Sequence, residues 1–441
     1  MIKKNFFFCF CLLWLFATAL QAVELSTDND KIRLTVEGLG FFRFGQVVRG
    51  TGVNNANIEK NIWTERANAA LSVGAIFDDK FKVAAGIEAD LMFPWPMEQN
   101  EAQTKISQTL ISLREAYGLF FTGDDNWLFD VCAGYFPYKY NPDVRNLGEF
   151  MFRSGTFPAY IITDFDYPMA KLLGLRIGAK LFERSFSQDL ILSSETVFYP
   201  MMDWSLSYLF SYDFLNKGFL EIGGGINFSH LFSVYHGNVT TPKYVDNLGN
   251  HYLDENGDTA YYSFKGTKAM GRFSIDPKVV FDRDLEIFGE SDLKLYAEIL
   301  IIGLESYPDT GLGINPTPSY SDWKEKAPIT FGINLPTFSL LDVFTLEFEY
   351  WGSKYHNDYR HLLTEVSKPI PPGSTEGVDE SKWKWSVYLK KSLFDGHLTL
   401  TTQFARDHMR QWGSLINRAN HREMLVQEGN WWWVTKIGYS F

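Results

Sequence analysis

Cysteine is scarce in this chain of 441 residues: there are three, and two of them, Cys9 and Cys11, lie in an apolar stretch near the amino terminus. Beyond that stretch only Cys132 remains, which excludes an intrachain disulfide framework. Basic residues are outnumbered, with 41 Lys and Arg against 53 Asp and Glu and a formal net charge of −12. This acidic balance argues against nucleic acid as a partner.

Long apolar runs are missing after the first residues, since no later run approaches the roughly 20 residues that a transmembrane helix needs. Residues 1–22 begin with Lys3 and Lys4, continue with an apolar core at 6–16, and end in small residues at Ala22. This order is typical of a secretory signal peptide. We expect residues 1–22 to be cleaved and residues 23–441 to form a single domain. An uncleaved membrane anchor is the alternative, disfavoured because the apolar core is short.

What the sequence does contain is aromatic residues, at 17%, and an alternation of apolar and polar side chains. In residues 81–93, Val83 and Ile87 alternate with Glu88 and Asp90, as in a strand with one apolar and one polar face. Similar segments recur along the chain and predict about sixteen strands, within two. A protein built from such strands crosses a membrane without any long apolar run.

The connections between these segments alternate between short turns, as at 77–81 and 122–126, and long loops, as at 236–260, 355–382 and 407–430. In a membrane barrel the short turns face the periplasm and the long loops face outside. An even number of strands lets the last strand pair with the first, near 32–48, and leaves no open edge. A large soluble all-β protein, such as a propeller or solenoid, is the alternative. The lack of a repeat of fixed period counts against it.

The last residues, 430–441, carry a resemblance to a known family. Trp431, Trp433, Tyr439 and Phe441 share one face, and Lys436 lies on the other. This pattern resembles the terminal strand of Gram-negative outer-membrane β-barrels. The resemblance implies that Tyr439 and Phe441 form the assembly signal read by the barrel assembly machinery, and that the protein lies in outer-membrane lipid. We therefore predict an all-β, transmembrane antiparallel barrel of the porin type, with short periplasmic turns and long extracellular loops.

Residues 137–163 join the fifth and sixth predicted strands on the loop side. In general diffusion porins the loop at this ordinal position folds into the barrel and narrows it, so its position resembles that family's constriction loop. The resemblance implies that Asp143, Arg145, Glu149 and Arg153 present charges to the pore. The acidic Pro-Glu-Phe-Gly stretch usual in that family is absent, and an external loop packed on its neighbours is the alternative.

Charged residues on the predicted lumen faces are the other candidates, because a field across a narrow aqueous neck selects solutes. The placement of Arg43, Arg66 and Arg114 resembles the basic ladder of a porin. The predicted lumen wall comprises Arg43, Arg66, Lys82, Glu88, Asp90, Arg114, Arg176 and Lys436, with further charges at Glu37, Lys180, Glu298, Glu347, Glu349, Lys384 and Lys390. This mixture leaves both anion and cation preference open.

Gly223, Gly224 and Gly225 lie within one strand, where glycine allows a bend or the close approach of another backbone.

The resemblance implies a channel for passive diffusion of small hydrophilic solutes, and since porins are often trimers, a homotrimer is among the expected partners. The alternative is an outer-membrane barrel that acts as a surface adhesin or structural anchor through loops 236–260 and 355–382. We expect no enzyme and no cofactor.

Residues 254–258 resemble the start of a calcium loop, but Thr259 and Lys265 stand where that motif requires Gly and Glu. An Asx-rich turn fits these residues better.

Overall fold

The computed structural model describes residues 25–26, 32–50, 62–93, 108–153, 169–196, 202–214, 218–232, 256–257, 266–280, 288–301, 304, 324, 327–350, 383–409, 425 and 427–441. Within these residues, sixteen antiparallel strands form one closed barrel. None of the helices in this part of the chain is long and apolar enough to cross a membrane.

The barrel strands follow one another in chain order. They are β1 (Ile32–Arg49), β2 (Ile62–Phe77), β3 (Phe81–Phe93), β4 (Gln108–Gly123), β5 (Leu128–Tyr138), β6 (Ala170–Leu181), β7 (Phe186–Ser194), β8 (Trp204–Phe214), β9 (Leu220–Phe232), β10 (Gly266–Ile275), β11 (Leu295–Ile301), β12 (Ile329–Asn334), β13 (Val343–Tyr350), β14 (Trp383–Leu393), β15 (Leu398–Arg406) and β16 (Trp431–Ser440). A two-residue strand, Leu25–Ser26, pairs with the start of β1. The short helix α1 spans Phe150–Arg153, and a 3-10 helix spans Pro277–Val279.

The barrel closes where β16 pairs with β1. Tyr439 lies opposite Gly40 in this seam, and the chain end continues the ladder, because the backbone of Phe441 and Gly38 exchange hydrogen bonds of 3.0 and 3.1 Å. The ring of Phe441 covers Gly38, where a Cβ atom would overlap it. The pairing confirms the predicted barrel of about sixteen strands and the predicted contact between its first and last strands.

Side chains alternate between an apolar outer face and a mostly polar lumen face. In β3, Ile87 points outward and is 58% exposed, whereas Glu88 and Asp90 point inward and are 6% and 4% exposed. The same alternation exposes Ile111 and Phe232 on the outside of other strands. It follows from the two-residue period of a strand, and it confirms the two-faced strands expected from the sequence.

Short and long connections alternate around the barrel and define a turn end and a loop end. At the turn end, Asp78 and Asp79 have φ of 48° and 53°, the left-handed geometry that matches the twist of tight hairpins. The connection between β10 and β11 is longer than its neighbours. There the buried carboxylate of Asp292 accepts hydrogen bonds from the backbone N–H groups of Gly289 (2.9 Å) and Thr337 (3.0 Å). This carboxylate fastens two adjacent connections together.

Candidate functional site

Residues 139–153 follow β5 at the loop end and turn into the barrel; we call them the inward segment. The predicted loop began at 137, but β5 extends through Tyr138, which points inward and packs against Phe152 with ring centroids 5.4 Å apart. This packing and a 2.8 Å hydrogen bond from the Tyr138 hydroxyl to Asp189 stabilise the strand beyond Pro137. Residues 154–163 of the predicted loop lie outside the described residues.

An apolar part of the lumen wall receives the end of the inward segment. Phe150, Met151 and Phe152 are at most 2% exposed. They belong to one cluster with the inward-facing residues Cys132, Phe136, Leu172, Ile191, Leu209, Met270 and Leu300. Burial of three large apolar side chains contributes several kcal/mol, at roughly 1.5–3 kcal/mol each. The segment is therefore held inside the barrel by packing as well as by polar contacts.

Tyr140 places the start of the segment against β8 and β9. Its hydroxyl donates to the carbonyl oxygens of Phe210 (2.7 Å) and Gly224 (3.2 Å). The hydroxyl fits there because Gly223 has no side chain; a Cβ atom at that position would overlap the Tyr140 oxygen. Burial raises the pKa of Tyr140 to about 12, so the hydroxyl keeps its proton at neutral pH. Gly223 thus allows the close approach of Tyr140 to the backbone of β9.

Glu298 of β11 holds both ends of the segment's central turn. Its Oε2 atom accepts from the Asn141 side-chain amide (2.8 Å) and the Glu149 backbone N–H (2.9 Å), and Oε1 accepts from the Phe150 N–H (2.6 Å). Glu149 in turn accepts from the backbone N–H of Tyr140 at 2.8 Å. Two buried carboxylates, one on the wall and one on the segment, thereby fix residues 140–150.

Glu347 of β13 binds the tip of the segment. Its carboxylate accepts from three consecutive backbone N–H groups, those of Arg145 (2.5 Å), Asn146 (2.8 Å) and Leu147 (2.8 Å). It also accepts from the Tyr296 hydroxyl at 2.6 Å. Successive N–H groups that converge on one point form an anion-binding concavity. Here the anion is a side chain of the barrel wall.

Asp407, directly after β15, connects the segment to the closing strand. Its carboxylate accepts from the side-chain amide of Asn146 (2.8 Å) and from the indole N–H of Trp432 (3.1 Å). Burial raises the pKa of Asp407, although these hydrogen bonds and the nearby charges of His408 and Lys384 act in the opposite direction.

The raised pKa of Asp407 predicts a pH dependence of stability. The folded state holds the proton of Asp407 more tightly than the unfolded state does. The contribution of this proton to the free energy of unfolding is therefore fully present below the unfolded pKa of about 3.9, and it is lost as pH rises through the folded pKa. Asp407→Asn has no such proton, and we expect its free energy of unfolding to fall less than that of the wild type between about pH 4 and pH 7. Unfolding in detergent micelles at both pH values measures this difference. Identical pH dependence in the two proteins would contradict the assignment.

The four residues predicted to charge the pore take different roles. Asp143 forms an ion pair with Lys294 at 2.5 Å. Glu149 is buried and pairs with Lys139 at 3.2 Å. Arg145 is half-buried at the segment tip, and Arg153 ends α1, with a side chain outside the described part. Two of these four, Asp143 and Glu149, are therefore engaged by neighbouring cations.

Three of the predicted wall cations lie side by side. Lys436, Arg43 and Arg66 are opposite one another on β16, β1 and β2; we call them the basic row. Phe41 lies among them, with the Lys436 ammonium 5.2 Å and the Arg66 guanidinium 5.6 Å from its ring centroid. Asp90 accepts from Arg66 at 3.0 Å. The structure thus brings four of the predicted wall residues to one patch of the lumen.

The other predicted wall residues lie apart from the basic row. Glu88 accepts from Lys171 at 2.6 Å, and Arg176 contacts Asp130 and Asp189. Lys82 is half-buried on β3. Arg114 occupies a bulge of β4 and lines a cavity of about 330 Å³ at the turn end, next to the chain terminus.

Sequence reasoning missed a lumen contact made by the connection between β15 and β16. This connection was expected to be external, yet Leu425 is fully buried against inward-facing residues of the closing strands. The signal available in the sequence was a set of apolar residues, Val47, Trp432 and Val434, at positions that alternate onto the lumen face. Among the described residues, no three His, Cys, Asp or Glu side chains are close enough to hold a metal ion. The loops 236–260 and 355–382 lie almost wholly outside the described part, as do residues 1–22.

No protein-family model matches the sequence, and no curated protein matches it. Solved structures similar to the chain include porins. OmpF of Salmonella typhi, in a complex with daunomycin, is 10% identical with a TM-score of 0.47 over 95% of this chain and 100% of that one. A triple mutant of the Rhodopseudomonas blastica porin is 8% identical with a TM-score of 0.43 over 92% and 100%. The barrel fold itself rests on the strand pairing described above.

Proposed function

We propose that this chain is a porin-like channel of the Gram-negative outer membrane, which lets small hydrophilic solutes diffuse passively through its lumen. The observation that carries the proposal is a closed barrel with an apolar outside and a charged inside, into which residues 139–153 are fastened. Passage through such a lumen needs no catalytic group, so we propose a channel and not an enzyme.

The outer face supports a lipid environment. Ile87, Ile111 and Phe232 are 58%, 71% and 58% exposed on it, and apolar surface left in water costs about 25 cal/mol per Å². Lipid removes this cost, and the closed sheet satisfies its own backbone hydrogen bonds, which a membrane requires. By the rule that short turns face the periplasm, the turn end lies there and the loop end faces outside.

Two surfaces face the same lumen: the inward segment, which would narrow it, and the basic row, which would select solutes by charge. The inward segment is fastened to β8, β9, β11 and β13, and the basic row lies on β16, β1 and β2. Within the row Arg66 is paired with Asp90 at 3.0 Å, and Lys436 is more accessible than Arg43 and Arg66. We propose that solutes pass between the segment and this row, and that the row favours anions.

At the seam, we propose that Tyr439 and Phe441 are read by the barrel assembly machinery. Phe441 lies at the end of the sheet and partly exposed, with its backbone paired to Gly38. The homotrimer and the cleavage of residues 1–22 stay predictions.

The test is conductance. Purified folded protein in a planar bilayer should give steady, ohmic single-channel current, and vesicles that contain it should swell in a monosaccharide faster than in a tetrasaccharide. Glu349→Ala is a control for substitutions at wall residues that bind the inward segment. Glu349 faces the lumen but bonds His408 rather than the segment, so this variant should conduct like the wild type. Absence of current and of swelling in folded preparations would contradict the proposal and leave an anchoring role through the loops.

A further inference from the structure

Apolar side chains project from the barrel at one side of its turn end. Val280 follows the 3-10 helix between β10 and β11, Phe338 and Leu340 lie in the turn between β12 and β13, and Phe394 lies in the turn between β14 and β15. These four residues, which we call the apolar rim, are between 57% and 77% exposed. Exposed apolar patches on a protein mark places where another apolar surface binds.

Contacts between the three turns hold the apolar rim together. Asp292 fastens the first two turns to each other, and the rings of Phe288 and Phe338 stack there with centroids 6.0 Å apart. The ammonium of Lys391, on β14, donates to the carbonyl oxygen of Ser339 in the second turn at 3.0 Å. The rim is therefore one surface carried by three linked turns.

The turns of β2–β5 lie across the barrel and have polar tips. Their exposed residues are Asp78, Asp79 and Lys80 in the first turn and Asp124, Asp125 and Asn126 in the second. Polar residues and glycine are usual at turn tips, since they tolerate the left-handed conformation. Phe338 and Phe394 take this conformation, with φ of 51° and 55°, although bulky side chains seldom do. The geometry of the turns therefore does not account for the apolar rim.

The outer face of the barrel continues into the apolar rim. Leu295 and Leu393, at the turn end of β11 and β14, point outward and are 40% and 43% exposed. Phe394 of the rim directly follows Leu393. One apolar surface thus extends from the outside of the strands to the turn tips, so lipid that covers the strands also reaches the rim.

We propose that the apolar rim inserts into the periplasmic leaflet of the outer membrane, where acyl chains meet the lipid headgroups, and that the polar turns of β2–β5 stay in water. The inference rests on the proposed channel function, which places the strands in lipid. Apolar side chains are stabilised at the boundary of headgroups and acyl chains, because insertion there removes them from water. The turn end is therefore embedded more deeply on the side of β10–β15 than on the side of β2–β5.

Bimane fluorescence tests this placement in the folded, full-length protein in phosphatidylcholine vesicles. The label is attached to cysteine in Leu340→Cys and Phe394→Cys on the rim, and in Asp78→Cys and Asp125→Cys on the polar turns. Phosphatidylcholine with a nitroxide on its acyl chains, close to the glycerol, should quench most of the fluorescence at the two rim sites and little at the two polar sites. Aqueous iodide should quench in the reverse order. The wild type is the labelling blank, because its Cys132 is buried.

Ile87→Cys, labelled on the outer face of β3, separates this inference from the channel proposal. If lipid quenches the label at Ile87 but quenches all four turn sites equally, the barrel lies in the membrane and the rim inference is wrong. Protection of the rim sites from both quenchers would also overturn it, since protein and not lipid would then cover them. A label at Ile87 that lipid does not quench would contradict the membrane location on which both proposals depend. Val280→Cys replaces a rim variant that does not fold.

Discussion

Glu347→Ala is expected to raise single-channel conductance and to destabilise the barrel. We expect it to have the largest effect of any substitution at the inward segment. The substitution removes the only carboxylate that accepts from the consecutive N–H groups of Arg145, Asn146 and Leu147 within the described residues. Each buried donor left without an acceptor costs about 1–3 kcal/mol. The tip of the segment should then leave the wall, which widens the lumen. Bilayer recordings and unfolding in detergent measure the two effects.

The control for this prediction is the glutamate two positions along the same strand. Glu349 also faces the lumen and is 2% exposed, but its partner is His408 at 2.5 Å. Glu349→Ala should therefore leave the conductance near that of the wild type, even if it lowers stability. Equal conductance of Glu347→Ala and Glu349→Ala would show that Glu347 does not hold the segment against the wall.

The alternation of side chains was sufficient to predict the two faces of the barrel and to place Glu298 and Glu347 on the lumen wall. It did not predict what these carboxylates bind. Glu347 and its partner Asn146 are 201 positions apart in the sequence, and the donors are backbone N–H groups that every residue except proline carries. A contact of that kind leaves no trace in residue types, so the attachment of the segment becomes visible only in three dimensions.

The apolar residues of the lumen were harder to interpret from sequence. Leu172, Ile191 and Leu209 fall on the lumen face of their strands, where a porin-like pattern calls for polar groups. Their burial by α1, and the burial of Val47 and Val434 by Leu425, explains these exceptions. Apolar residues at inward positions thus marked the places where loops enter the barrel. The expectation that residues 407–430 form an external loop was wrong for Leu425, because it rested on the length of the connection alone.

Gly223→Ala is expected to displace the start of the inward segment. A methyl group at this position overlaps the hydroxyl oxygen of Tyr140 and lies 2.9 Å from the carbonyl oxygen of Phe210. The Tyr140 side chain must then move, and it loses hydrogen bonds of 2.7 and 3.2 Å to the backbone of β8 and β9. Overpacking of a filled site costs about 1–3 kcal/mol. We expect a loss of stability of that order, together with a noisier and larger channel current.

Two further variants separate the clash from a general effect of adding a methyl group to the barrel. Gly271→Ala, on the adjacent strand β10, meets no atom closer than Ile299 at 3.8 Å and should be close to neutral. Tyr140→Phe removes the hydroxyl that collides with the new methyl group, at a cost of about 1 kcal/mol for its hydrogen bonds. The double variant Tyr140→Phe with Gly223→Ala should therefore be more stable than the sum of the single changes predicts. Strict additivity of the two substitutions would mean that the Tyr140 hydroxyl does not rest on Gly223.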